Sequence, residues 1–295
     1  MINFIGRKKI FFTISIAIIV IGIITFIVFG GLNLGLDFKG GTSIRINIGQ
    51  EYDDQEIKTL VQDTAGVEAT VQKAGTNGTE ADITTLEIDT ETRDKVVDAI
   101  KEKYSLEQDA LLEATNVSAS ASTKLIFDAL KALGWAILFM LIYITIRFSF
   151  KSGISAIAGL LHNILVMLAI YAIFQIPINS SFVAAVLTVV GYSINDTIVV
   201  FDKIRESARK GGRSKFAEIA NTSLNQTLTR TLNTSFTTLF TILTLYVLGV
   251  DSIREFSLPI IIGVIVGTYS SICIATPVWT IINDWKPGKK AAKKA

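Results

Sequence analysis

Residues 182–201 read FVAAVLTVVGYSINDTIVVF, an apolar run interrupted by one charge, Asp196. At about 1.5 Å of rise per residue, a helix of this length crosses a hydrocarbon core of about 30 Å. Within it Thr188, Tyr192, Asn195 and Asp196 fall at i, i+4, i+7 and i+8, so a polar ridge runs down one face. An ionised aspartate at the bilayer centre costs about 2.5–3.5 kcal/mol on insertion scales, and such residues face a partner or a wet cavity and mark ion or proton paths. Asp196 is therefore the first candidate for function.

Working outward, comparable runs occupy Ile10–Phe29, about Ala129–Ile146, Ile154–Phe174, Thr229–Leu248 and Leu258–Thr280, which makes six spans in all. The composition agrees: the 295 residues are 50% hydrophobic and only 18% charged, with a mean hydropathy of +0.49, too apolar for one soluble domain. The first run follows Arg7, Lys8 and Lys9 and exceeds the apolar core of a cleaved signal, about 7–15 residues, so it reads as an uncleaved anchor. The one cysteine, Cys273, excludes an intramolecular disulfide.

Charge sets the topology. The net charge of +2 hides an asymmetry, because residues 30–124 hold 18 of the 26 acidic residues but 9 of the 28 basic ones. Lys and Arg gather in the segments around 1–9, 147–151, 202–215 and 285–295, so the positive-inside rule places these, and both termini, in the cytoplasm. The expected organisation is a cytoplasmic N-terminus (1–9), a first transmembrane helix (10–29), an exported domain (30–122), the five-helix remainder of the bundle (123–282) with a cytoplasmic loop at 202–228, and a basic cytoplasmic tail (283–295). Inside 30–122, Thr42–Ile48 alternates as a strand and Asp53 opens a helix with Glu56 at capping-box spacing. Strands at Val67–Lys73 and Ala81–Ile88, joined through Gly75, Asn77 and Gly78, precede a helix at Glu91–Tyr104 and a strand near Ala110–Val117. The order β-α-β-β-α-β is that of ferredoxin-like domains, a fold that hosts many functions.

Enzyme signatures are missing from the sequence. GLDFKGGT (35–42) places Gly41 where a nucleotide-binding loop needs lysine. His162 has no Cys, second His or Asp at ligand spacing, so no catalytic set and no metal site are expected. Its bland reading is a hydrogen-bonded histidine inside the bundle. The basic stretch Lys203–Lys215 has no aromatic residue, so topology and anionic lipid explain it and nucleic acid does not. The fifth span, LTRTLNTSFTTLFTILTLYVL (228–248), carries Arg230, Asn233, Thr234, Thr237, Thr238 and Thr241 at helical spacing. Arg230 lies at a depth that a guanidinium could bridge to Asp196, so the two polar stripes could face each other; the alternatives are an arginine that snorkels to the cytoplasmic edge and threonines that serve helix packing. Gly263 and Gly267 on the sixth span form a G-x-x-x-G that permits close helix approach.

Four segments together resemble one family: GLNLGLDFKGGTSI (31–44), VVGYSINDTIVVFDKIRE (189–206), NQTLTRTLNTS (225–235) and IIGVIVGTYSSICIATP (261–277), in an order and topology similar to the SecF family of bacterial protein-export membrane proteins. The resemblance implies an α-helical polytopic membrane protein, half of a resistance-nodulation-division-type bundle, with an exported α+β ferredoxin-like domain. It implies an accessory subunit of the Sec preprotein translocase, driven by the proton motive force at a late stage of export across the inner membrane. The implied partners are SecD as the complementary six-helix half, the SecYEG channel, YajC, unfolded preprotein and membrane lipid, with no nucleic acid and no cofactor beyond a coupling proton, sodium being the alternative ion.

In that reading Asp196 exchanges the proton and Arg230 pairs with it or tunes it. Asn195, Thr197, Asn233, Thr237 and His162 support them, and Gly35, Asp37, Gly40 and Gly41 form the junction to the exported domain. The chain departs from many relatives in having Asn163 after His162 where they carry aspartate, which leaves the proton burden on Asp196. The alternatives are an efflux or lipid transporter half of the same superfamily, which would need a drug-sized exported cleft, and a membrane scaffold without ion chemistry.

Overall fold

The computed structural model describes residues 1–75, 78–210 and 215–284, which leaves Asn77 of the expected turn and the tail from Trp285 outside the described residues. The chain divides into two units, one comprising residues 1–33 and 130–295 and the other residues 34–129.

The first unit is helical because its apolar runs exceed any strand length. Its elements are α1 (Lys8–Val28), α5 (Ala119–Arg147, which enters this unit at Leu130), α6 (Phe150–Phe174), α7 (Ser180–Lys210), α8 (Phe216–Leu248) and α9 (Asp251–Ser270). A π-helical segment, Ser271–Ala275, continues α9 into α10 (Thr276–Asp284). Six candidate membrane spans result among the described residues. Local chemistry sets the ends. Ser149 caps α6 in a reciprocal box with Ser152, and Gln175 closes it in the left-handed region. The expected loop at 202–228 is largely helical, with α7 running to Lys210 and α8 starting at Phe216, because no Gly or Pro interrupts either stretch. The segment before α1 is held on α8: Ile2 and Ile5 N–H donate to the side chains of Asn225 and Asn221, and both carboxamides donate back to the Ile2 carbonyl.

Close packing in the bundle centres on α9. A Cβ on Gly263 would lie 2.4 Å from Val189, and one on Gly267 would lie 2.9 Å from the Asn163 amide, so the two glycines let α7 and α6 approach the helix axis, as the G-x-x-x-G spacing suggested. By contrast α5 exposes Leu130, Trp135, Phe139 and Ile142.

The second unit contains α2 (Leu36–Lys39), β1 (Gly41–Asn47), α3 (Asp54–Ala65), β2 (Ala69–Ala74), β3 (Glu80–Thr85), α4 (Thr90–Tyr104) and β4 (Leu111–Val117). The sheet order is β2-β3-β1-β4, with every pairing antiparallel and Ile44 opposite both Ile83 and Ala114. With its two crossover helices this is the ferredoxin-like arrangement. Alternation along β1 sends Ile44 and Ile46 into a core shared with Ile57, Val61, Ile83, Val96 and Ile100. One detail of the expected helix start differs. Asp53 caps α3 by accepting from Gln55 N–H, while Glu56, the box partner read from spacing, engages Tyr104 and Lys103 instead.

Candidate functional site

Asp196 is 2% exposed. Its Oδ2 lies 3.5 Å from Ser235 Oγ of α8 and 3.5 Å from Thr268 Oγ1 of α9, and those two hydroxyls are 2.6 Å apart. The carboxyl thus sits where α7, α8 and α9 meet. Ser235 Oγ also reaches the Thr231 carbonyl and Thr268 Oγ1 the Val264 carbonyl, each at 2.9 Å. Each hydroxyl has one proton. If Ser235 donates to Thr268 and Thr268 to Val264, no proton is left for an ionised Asp196, whereas a protonated carboxyl starts the chain by donating to Ser235. Loss of the proton requires at least one hydroxyl to redirect its proton to the carboxylate: if Ser235 turns to Asp196, Thr268 must leave the Val264 carbonyl to keep the Ser235–Thr268 bond. The junction therefore has two hydrogen-bond arrangements, selected by one proton and shared by three helices.

A second polar layer lies beside it. Thr197, 3% exposed, donates to the Ser193 carbonyl and meets Ser271 Oγ at 2.8 Å. Ser271 opens the π-helical segment, and the hydroxyl of Thr276, the first residue of α10, donates to the carbonyl of Ser271 five residues back; π-bulges of this kind concentrate at functional sites. His162 meets Ser270 Oγ through Nδ1 at 3.1 Å and lies against the Tyr269 ring. Its Nε2 and Asn163 Oδ1 are buried without a partner, while Asn163 donates to the Gly263 carbonyl at 3.3 Å. Among the described residues no group of three His, Cys, Asp or Glu could hold a metal ion.

The other residues singled out from the sequence lie elsewhere. Arg230, Asn233 and Thr237 occupy the exposed face of α8, and Asn195 and Thr188 the exposed face of α7. Of the Arg230 stripe, Thr234 comes within hydrogen-bonding reach of the Asp196 carboxyl, whereas Arg230 itself makes no contact with Asp196 among the described residues. The helices do meet, where Ser235 reaches Asp196: Ser235 belongs to a buried row at every fourth residue of α8, with Ser223, Thr227 and Thr231, and Asp196 is buried beside Ser193 and Thr197 of α7. The four-residue period of small hydroxyls was the available signal. Gly35, Asp37, Gly40 and Gly41 belong to the α+β unit. Gly35 precedes α2 in extended conformation, and Gly40 and Gly41 have φ of 73° and 133°. A Cβ on Gly41 would sit 2.3 Å from the Thr85 carbonyl oxygen, so here only glycine satisfies both the angle and the space.

A multi-pass helical membrane protein with a ferredoxin-like domain and a lone carboxyl buried among hydroxyls is the class that fold and site define. A family model described as "Protein export membrane protein SecD/SecF, C-terminal" matches residues 96–285, and one described as "SecD/SecF GG Motif" matches residues 25–50. The chain belongs to the SecD/SecF family. It is 35% identical to the protein translocase subunit SecF of Petrotoga mobilis, covering 99% of both chains. It is also 35% identical to the subunit SecDF of Bacillus subtilis, covering 94% of this chain but 37% of that one. The crystal structure of SecDF from Thermus thermophilus, described as a translocon-associated membrane protein, aligns with a TM-score of 0.83 at 29% identity, over 94% of this chain and 38% of that one.

Proposed function

We propose that this chain is the SecF half of a proton-driven accessory to the Sec translocase, and that Asp196 is the group that takes up and releases the coupling proton. The observation that carries the reading is the Asp196 junction: a carboxyl 2% exposed, contacted by hydroxyls of two other helices and by no cation among the described residues. Protonation there changes hydrogen bonds on α7, α8 and α9 together, which converts a proton into helix movement.

The partner reading rests on the faces left open. Asn195 and Asn233 present exposed carboxamides at membrane depth without hydrogen-bond partners among the described residues, a costly arrangement against lipid and a useful one against another helix. In the Bacillus subtilis relative this chain corresponds to 37% of a longer SecDF, which supports a SecD half covering these faces. The basic ends and both termini then face the cytoplasm, and the α+β unit acts on preprotein beside the SecYEG channel on the far side of the inner membrane. The test is late-stage preprotein translocation in vesicles containing the complete complex, with and without proton motive force. Asp196→Asn should abolish the stimulation and leave co-purification with SecD unchanged; a normal stimulated rate would remove the mechanism.

A further inference from the structure

At the basic end of the bundle, Arg205 and Arg209 of α7 border a cavity of about 290 Å³ whose other walls include Phe148, Phe216 and Trp279. The floor is fixed: the Trp279 ring packs between Phe201 and Phe216, with centroids 4.5 and 5.2 Å away. Arg205 is held over it, donating from Nη1 to the Arg147 carbonyl at 2.9 Å and lying 5.7 Å from the Phe148 ring. That uses one of five guanidinium N–H groups. The neighbouring acids already have cations, Asp202 facing Arg147 and Glu206 facing Lys203, whereas neither Arg205 nor Arg209 meets a carboxylate among the described residues.

We propose that this cavity binds the phosphodiester of a glycerophospholipid, with Arg205 and Arg209 on the phosphate oxygens and the three aromatic rings against the glycerol and first acyl carbons. Paired guanidinium groups match phosphate geometry, and aromatic rings at a membrane boundary accommodate the amphipathic segment below the phosphate. A free phosphate ion would use the arginines but not the apolar walls. The position also fits, because Ile146 and Phe150, on either side of Phe148, are exposed and continue the apolar surface toward the membrane. The lipid would bridge the α5–α6 turn, α7, the start of α8 and α10, the elements that supply the walls.

Trp279 gives the readout, since with Trp135 and Trp285 replaced by Phe it is the sole tryptophan of the three. The full chain in detergent is titrated with dihexanoyl phosphatidylglycerol and, separately, with inorganic phosphate, following Trp279 emission. The expected result is a saturable change with the lipid, weakened about tenfold or more in Arg205→Gln/Arg209→Gln, as for loss of charge-assisted hydrogen bonds. Arg205→Lys should fall between, and Ala208→Phe, which fills the cavity with both arginines kept, should abolish the change; far-UV circular dichroism verifies that each variant is folded. Undiminished lipid affinity in the double-Gln or the Ala208→Phe variant overturns the site. Saturation by inorganic phosphate at the same concentration as the lipid overturns the lipid assignment. Both outcomes are independent of proton coupling at Asp196.

Discussion

Asp196 approaches Ser235 to 3.5 Å, yet Arg230, five residues earlier on the same helix as Ser235, lies on the exposed face. At 3.6 residues per turn, positions five apart are separated by about 140° around the axis, so one helix cannot offer both side chains to one carboxyl. The hydroxyls face it. Ser235→Ala and Thr268→Ala should each slow proton-driven translocation, by up to the worth of a hydrogen bond to a charged group, about 1.5–3 kcal/mol. Because the two hydroxyls also contact each other at 2.6 Å, the double variant should be non-additive. Rates of late-stage export at a fixed proton motive force measure this, and wild-type rates in the double variant would dismiss the hydroxyl pair.

For Arg230 the exposed position moves the expectation from carboxyl chemistry to partner contact. Arg230→Leu should lose most activity and Arg230→Lys retain part of it, since lysine keeps the charge but not the guanidinium geometry. The Leu variant should also weaken co-purification with the SecD half. Combined with Asp196→Asn, the effect on assembly should add to within about 0.3–0.5 kcal/mol, as for sites with no shared partner. Strong coupling in that cycle would restore a direct Asp196–Arg230 pair.

The sequence disclosed the helices and strands more fully than their faces. Alternation at Ile44 and Ile46, the turn glycines and the long apolar runs each follow from local chemistry, and the structure places strands and spans accordingly. Asp196 was legible because a charge in an apolar run is conspicuous. Its neighbours were not: α8 carries hydroxyls on every side, and which side faces the bundle depends on packing against α7 and α9 and not on α8 alone. Thr268 and Ser270 looked like ordinary members of a small-residue helix. The Asp53–Glu56 spacing fitted a capping box, but Glu56 found Lys103 and Tyr104 across the α3–α4 contact, a tertiary preference that no local pattern contains.

The α+β core gives a stability test independent of transport. Ile83 is fully buried and lies opposite Ile44 and Val71 in the sheet. Ile83→Ala should cost about 2–5 kcal/mol, the range for large-to-small core substitutions. Amide exchange in the full chain should show lost protection across β1, β3 and α4 with the bundle helices unaffected. Unchanged protection at β1 would contradict this packing.

At the glycine pair, Gly41→Ala meets two obstacles, a φ of 133° and the Thr85 carbonyl oxygen 2.3 Å from the added Cβ. Since that neighbour is backbone, the β1–β3 pairing at Thr85 must open. Gly49→Ala, at φ 69° with open space around it, has only the conformational cost, about 1–2 kcal/mol. The ratio of protease susceptibility in the two variants separates sterics from backbone freedom, and equal susceptibility would mean that the close approach at Gly41 is unimportant.

A pH response is expected at the start of α4. Asp89 accepts from Thr92 N–H at 2.9 Å and from the Thr92 hydroxyl at 2.8 Å, and these bonds hold its carboxyl below the usual carboxylate range. A carboxyl whose folded pKa is depressed stabilises the fold fully above its unfolded value of about 3.9 and loses that contribution as pH falls through the folded value. Protection of the first turn of α4, measured by amide exchange corrected for intrinsic rates, should be constant from neutral pH down to about 4 and fall below it. Asp89→Asn keeps an acceptor for the Thr92 N–H but has no proton to gain, so its profile should be flat across the same window. A wild-type profile equally flat would show that the Thr92 contacts do not distinguish the ionised carboxylate from the neutral acid.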